Sequence, residues 1–116
     1  MSYRDDIYVI SPARCDHGGI IYFMLCRSPD QQVKIGHANH LARRLSTIQI
    51  GCPYAIDVLT YYWSENPEDE EQTLHERFAA SRIRGEWFRL TDELRLIIGE
   101  LQERQRNLLS DILCAP

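Results

Sequence analysis

The sequence predicts a small single-domain α/β fold, with helices laid on a mixed or antiparallel sheet. Three observations predict it. The chain has 116 residues, 44% of them hydrophobic and 26% charged, which suits one globular domain around one core. Short runs rich in β-branched and aromatic residues alternate with segments of helical period. A helical segment also falls between the second and third of these runs, so the strands are not one uninterrupted meander.

Element by element, Ile7 to Ile10 reads as a short first strand or an ordered arm, closed by Ser11-Pro12. Gly18-Gly19 signals a turn before Ile20 to Arg27, whose β-branched and aromatic content marks a buried strand. Ser28-Pro29-Asp30 makes a tight turn, and Gln32 to Gly36 is the returning strand of a hairpin. Asn39 is placed to cap a helix through about Ile48, which Gly51-Cys52-Pro53 stops. Ile56 to Trp63 alternates as a third strand. A second helix runs over Glu65 to Ala80, begun by Ser64 or Asn66, with Pro67 and several acids in its first turns, where the helix dipole favours them. After Gly85, Glu86-Trp87-Phe88 looks extended, and Thr91 caps a long helix to about Leu113.

Composition excludes several classes. The longest apolar run, Ile20 to Cys26, is far short of the roughly 20 residues that span a bilayer. Met1 to Arg14 lacks a signal-peptide core, so a cytoplasmic protein with reduced thiols is expected. Cys15, Cys26, Cys52 and Cys114 stand far apart without a C-x-x-C pair, which argues against structural zinc and makes Cys26 a small core residue. The net charge of −4 argues against a protein that coats nucleic acid electrostatically. Residues 1–60 hold 6 basic and 5 acidic side chains and residues 61–116 hold 7 and 12, so acid concentrates in the second half. Lys34 is the only lysine among 13 basic residues.

Several polar groups lie where they could converge: Tyr22 in the first core strand, Lys34 and His37 flanking Gly36 on its hairpin partner, Arg44 on the first helix and Glu71 on the second. Such a group can bind a phosphodiester, with Arg on phosphate oxygens, Glu on a divalent cation, and Tyr, Lys or His handling protons. Plainer readings stand beside this one. A strand tyrosine is often a core ring, Arg43-Arg44 reads equally as a solvated helix face, and Glu71 as one charge in an acidic helix start. His37-x-x-His40 fits a metal pair or a chance spacing in a loop. From the residues alone, the identity of the site stays open.

The spelling narrows it. Ile20-Ile21-Tyr22, Lys34-Ile35-Gly36, Arg44-Leu45, Gln49-Ile50-Gly51-Cys52-Pro53, Glu71-Gln72-Thr73-Leu74-His75-Glu76-Arg77-Phe78 and Gly85-Glu86-Trp87-Phe88 stand in that order. Together they resemble the GIY-YIG endonuclease superfamily, in its phage T5-type DNA-binding-domain branch, over residues 20 to about 98. The resemblance implies a three-stranded antiparallel sheet flanked by helices, to which the residues themselves add a long C-terminal helix. It divides the chain into an arm or short strand (1–19), a nuclease-like domain (20–98) and the end of the last helix (99–116).

It also implies a metal-dependent endonuclease that hydrolyses DNA phosphodiester bonds. Tyr22 would deprotonate or orient the attacking water, Arg44 would hold the scissile phosphate, and His37 would shuttle a proton. Glu71 would be the sole protein ligand of Mg²⁺ (or Mn²⁺). Lys34 stands where the family has its second motif tyrosine, and a desolvated lysine beside Tyr22 would lower the tyrosine's pKa. Arg43, His40 and His75 would flank the substrate, while helix packing is the alternative for His75. Glu86 would back the site or reach the metal. The rival reading is a catalytically inactive DNA-binding or oligomerisation module of the same fold.

The last helix carries Leu94, Ile97, Ile98, Leu101, Leu108 and Ile112 on one stripe, with Leu109 and Leu113 beside it. Gln102 to Asn107 is polar, so the apolar cluster beyond it is expected to be left without cover and to support a homodimer.

Overall fold

Eight consecutive buried residues, Gly19–Cys26, demand cover on both faces and a neighbour along both edges, and the sheet supplies them. The computed structural model describes residues 18–114, with side chains to residue 107. In it this strand, β1 (Gly19–Cys26), pairs with β2 (Gln32–Ala38) on one side and β3 (Ile56–Ser64) on the other, both antiparallel. A short hairpin, β4 (Arg82–Arg84) and β5 (Trp87–Arg89), extends the sheet to the order β3-β1-β2-β5-β4. Three helices complete the chain: α1 (Leu41–Ile50), α2 (Pro67–Arg77) and α3 (Asp92–Cys114).

The sheet is therefore five-stranded and antiparallel, which corrects the expected three-stranded sheet. Val33 pairs with Phe88 and Lys34 with Trp87, so the expected extended stretch is a sheet strand over Trp87–Arg89, with Glu86 in the turn before it. Its partner β4 escapes sequence reading for a physical reason. Arg82, Ile83 and Arg84 are all exposed, so a three-residue edge strand shows no buried alternation. The turn between β4 and β5 depends on Gly85, whose φ of +55° is one that other residues rarely adopt.

The two faces of the sheet carry separate cores. On one, Tyr22 and Met24 of β1, Ala38 of β2 and Ile56 of β3 pack with Leu41, Leu45 and Ile48 of α1. On the other, Ile21, Phe23, Leu25, Val33, Ile35 and Phe88 pack with Leu74 and Phe78 from α2 and its end, and with Leu94 and Ile98 of α3. Period-2 alternation of β1 thus sends Tyr22 toward α1 and its neighbours toward α2 and α3.

Several boundaries move. β2 runs to Ala38, two residues past the expected end, so His37 sits on a strand and not in a loop. His40, not Asn39, is the N-cap of α1: its Nδ1 accepts from the Arg43 amide at 3.2 Å. α2 starts after Asn66 with Pro67 in its first turn and stops at Arg77 instead of Ala80. There the buried Phe78 turns the chain into a single 3₁₀ turn, Ala79–Ser81. Thr91 caps α3 as expected, its Oγ1 accepting from the Leu94 amide at 3.2 Å.

The polar stretch of α3 has a structural task that the sequence hid. Gln102 Nε2 donates to the Leu59 carbonyl at 2.8 Å and Gln105 Nε2 to the Tyr61 carbonyl at 2.7 Å, while Thr60 Oγ1 donates to Gln105 Oε1 at 3.2 Å. These bonds lie along the outer edge of β3, beyond which there is no further strand among the described residues. The expected strand at Ile7–Ile10, Cys15, and the Leu108, Leu109, Ile112, Leu113 cluster invoked for a homodimer lie outside the described residues or side chains.

Candidate active site

The hairpin register sets the site. Tyr22 stands opposite Gly36, and Met24 opposite Lys34, so Tyr22 and Lys34 project from the same face of the sheet, toward α1. Tyr22 is fully buried, and its hydroxyl approaches the backbone of Gly36 so closely that a β-carbon there would lie 2.6 Å from it and 2.8 Å from Glu86 Oε1. Gly36 is thus a close-approach glycine, and the middle letter of the sequence motif has a steric meaning.

From α1, the exposed Arg44 brings Nη1 to 3.5 Å from the Tyr22 hydroxyl and donates to the His37 carbonyl at 3.3 Å. From the β4–β5 turn, Glu86 Oε1 pairs with Lys34 Nζ at 3.0 Å, and that ammonium lies 5.4 Å over the Trp87 ring. Burial pushes the Tyr22 hydroxyl pKa above its ordinary value. The Arg44 hydrogen bond opposes the shift, and the carboxylates of Glu86 and Glu71 add to it. The expectation that Lys34 lowers this pKa is corrected: the lysine's charge is held by Glu86, and Tyr22 remains a protonated phenol.

His37 emerges on the opposite face and meets α2. Its Nδ1 stands 2.6 Å from Glu71 Oε1. A carboxylate only accepts, so Nδ1 carries the proton, and Nε2 is the ring atom left for other work. Glu71 is 15% exposed at its side chain, and its second oxygen lies 3.7 Å from His75 Nε2. That histidine nitrogen is already committed, donating to the Ile35 carbonyl at 2.8 Å, with the ring 5.1 Å from Phe88. His75 is thereby a joint between α2 and β2. A polar cavity of about 380 Å³ opens beside His37, between Asn39, Asn66, Pro67, Glu68 and Asp69.

The structure thus brings Tyr22, Lys34, Arg44 and Glu86 together on one face around Gly36, and His37, Glu71 and His75 on the other. From that second face the Glu71 carboxylate adds only slightly to the upward shift of the Tyr22 hydroxyl pKa, which burial dominates. Arg43 is exposed on α1, and His40 caps that helix. Asn39 and Asn66 read in sequence only as helix caps and Asp69 as one acid in the first turn of α2, so nothing local marked them as lining one cavity.

A hydrated Mg²⁺ asks little of a protein: one or two carboxylates, with water and phosphate oxygens completing the shell. Glu71 meets that demand through Oε2, which makes no hydrogen bond to a described residue, whereas Oε1 is held by His37. Among the described residues, no group of three or more His, Cys, Asp or Glu is placed to hold a metal, so the arrangement offers one carboxylate and not a cage.

A family model for the T5orf172 domain matches residues 19–107. The chain belongs to the T5orf172 domain family. No curated protein and no solved structure matches it. In this T5orf172 domain the match starts at β1 and ends within α3, beyond Gln105, so it takes in both faces of the site and the covered β3 edge. No helix among the described residues is long and apolar enough to cross a membrane.

Proposed function

We propose that this T5orf172 domain hydrolyses DNA phosphodiester bonds with the help of a divalent cation. The observation that carries the proposal is the placement of Arg44 against the Tyr22 hydroxyl at 3.5 Å, beside the close-approach Gly36. The membership supports it, because T5orf172 domains are associated with nuclease-like and DNA-binding proteins of phages, and so does the ordered resemblance to GIY-YIG endonucleases. In this reading Arg44 leaves the tyrosine for a phosphate oxygen, where a planar guanidinium binds in two-point fashion and stabilises developing charge. Tyr22, kept protonated, donates a hydrogen bond and orients the attacking water. His37, oriented through Nδ1 by Glu71, accepts a proton at Nε2. Glu71 would hold Mg²⁺ or Mn²⁺ through its other oxygen, and the cation supplies Lewis acidity at the phosphate and a more acidic bound water.

The second reading is a DNA-binding module without chemistry. The observation that favours it is Lys34, paired with Glu86 at 3.0 Å where a proton-accepting group would have to be unencumbered. Plasmid nicking with Mg²⁺ or Mn²⁺ separates the two. Hydrolysis is expected in wild type and should fall at least about 100-fold in Arg44→Ala, the scale seen when a preorganised charge stabiliser is removed. Glu71→Ala should lose a similar factor with its melting curve retained. DNA binding without cleavage, weakened by salt and by removing Arg43 and Arg44, would establish the module instead.

A further inference from the structure

Cys26 ends β1, 8% exposed, and Cys52 lies half-buried in the turn after α1. Neither is in a disulfide, and their sulfurs stand 3.6 Å apart. The segments that carry them are tied together independently of the thiols. Gln49 Nε2 donates to the Tyr54 carbonyl at 2.9 Å, its Oε1 accepts from the Ile56 amide at 2.9 Å, and the Arg27 amide donates to the Ala55 carbonyl at 2.9 Å. A disulfide places its sulfurs about 2.05 Å apart, so these two must close by about 1.5 Å, between segments that the hydrogen bonds above already hold side by side.

We propose that Cys26 and Cys52 form an oxidant-reactive dithiol, which hydrogen peroxide converts to an intramolecular disulfide between the end of β1 and the turn after α1. The more accessible Cys52 reacts first. Its thiolate attacks a peroxide oxygen, the O–O bond breaks, and the departing hydroxide takes a proton to leave as water, with Cys52 a sulfenic acid. The Cys26 sulfur then attacks the Cys52 sulfur, the S–S bond forms, the S–O bond breaks, and a second water leaves. Two thiols and one peroxide give one disulfide and two waters: the sulfurs lose two electrons and the peroxide gains them. The closed loop contains β2 and α1, and with them Lys34, Gly36, His37 and Arg44. Oxidation therefore ties both ends of the segment that supplies most of the site. The proposal does not depend on the phosphodiester reading.

The test uses the full chain with Cys15→Ser and Cys114→Ser, so that only this pair remains. After peroxide treatment and alkylation, intact mass should show loss of two hydrogens and no alkylation, and peptide mapping should link residues 26 and 52 within one chain. Dithiothreitol should reverse both results. The unfolding midpoint should rise by on the order of 10 °C on oxidation, because the cross-link restrains the unfolded chain. That rise should vanish in Cys52→Ala, a half-buried position where the substitution leaves β1 intact. Peptide mapping of oxidised wild type gives the same answer should the serine background fail to fold. Two thiols that stay alkylatable, oxygen added to Cys52 without a cross-link, or links only between chains would overturn the proposal.

Discussion

A β-carbon at position 36 would lie 2.6 Å from the Tyr22 hydroxyl and 2.8 Å from Glu86 Oε1, closer than side-chain carbons approach oxygen. The Glu86 carboxylate ends a flexible, partly exposed side chain and can swing away, but the Tyr22 ring is fully buried, so Gly36→Ala must displace it. A loss of about 1–3 kcal/mol in stability is expected, the range for forced overpacking, together with weaker nicking activity. Chemical denaturation beside the nicking assay reads both. Titration offers a second check at this scale. Tyr22 and Tyr62 both have pKa values raised above 10.0 in the fold, chiefly by burial, and Tyr62 further by its 2.7 Å hydrogen bond to Glu70. Above pH 10 the unfolded chain gives up phenolic protons that the folded chain keeps, so their stabilisation is complete below pH 10 and is lost as pH climbs toward the folded values. Melting midpoints measured from pH 8 to 11 should decline more steeply in wild type than in Tyr62→Phe; parallel curves would remove Tyr62 from the account.

Helix α1 carries Arg44, and its first turn hangs on the bond from the Arg43 amide to His40 Nδ1. His40→Ala should cost about 1 kcal/mol as a lost N-cap, and His40→Asn should restore most of it, since asparagine is a favoured cap. Thermal melts of the three proteins would show this ordering. Asn39 was the natural sequence choice for the cap because histidine seldom serves there; only the backbone path, with His40 in the extended region, settles which side chain faces the amide. The same contrast runs through the fold. β1, β3 and the start of α3 were legible because their apolar content and caps are local signals. β4 was not, because three exposed residues gain strand form only from a partner brought by the Gly85 turn. Tyr22, Gly36, Arg44 and Glu71 were legible as candidates from the motif, yet the bond of His37 to Glu71 required the extra length of β2, and the capture of Lys34 by Glu86 required the fourth and fifth strands.

At the scale of the molecule, the sheet of the described residues ends in β3 on one side and β4 on the other, and each edge is protected differently. β4 is short and bears Arg82 and Arg84, a charged border that discourages strand addition. β3 is nine residues long, and its carbonyls at Leu59 and Tyr61 are taken by Gln102 and Gln105. Replacing both glutamines by leucine should cost about 1–2 kcal/mol in lost hydrogen bonds. It should also make aggregation concentration-dependent, which light scattering against a matched wild-type series would detect. Unchanged scattering would show that α3 covers the edge by bulk alone.

The two glutamines follow the carbonyls they cover by 43 and 44 residues. On a growing chain, β3 is therefore made well before its cover exists. At about 5–20 residues per second, the interval lasts roughly two to nine seconds. Through it the Leu59 and Tyr61 carbonyls lack the partners that α3 later brings, so the pace of translation over β4, β5 and α3 sets how long these two acceptors wait for their cover.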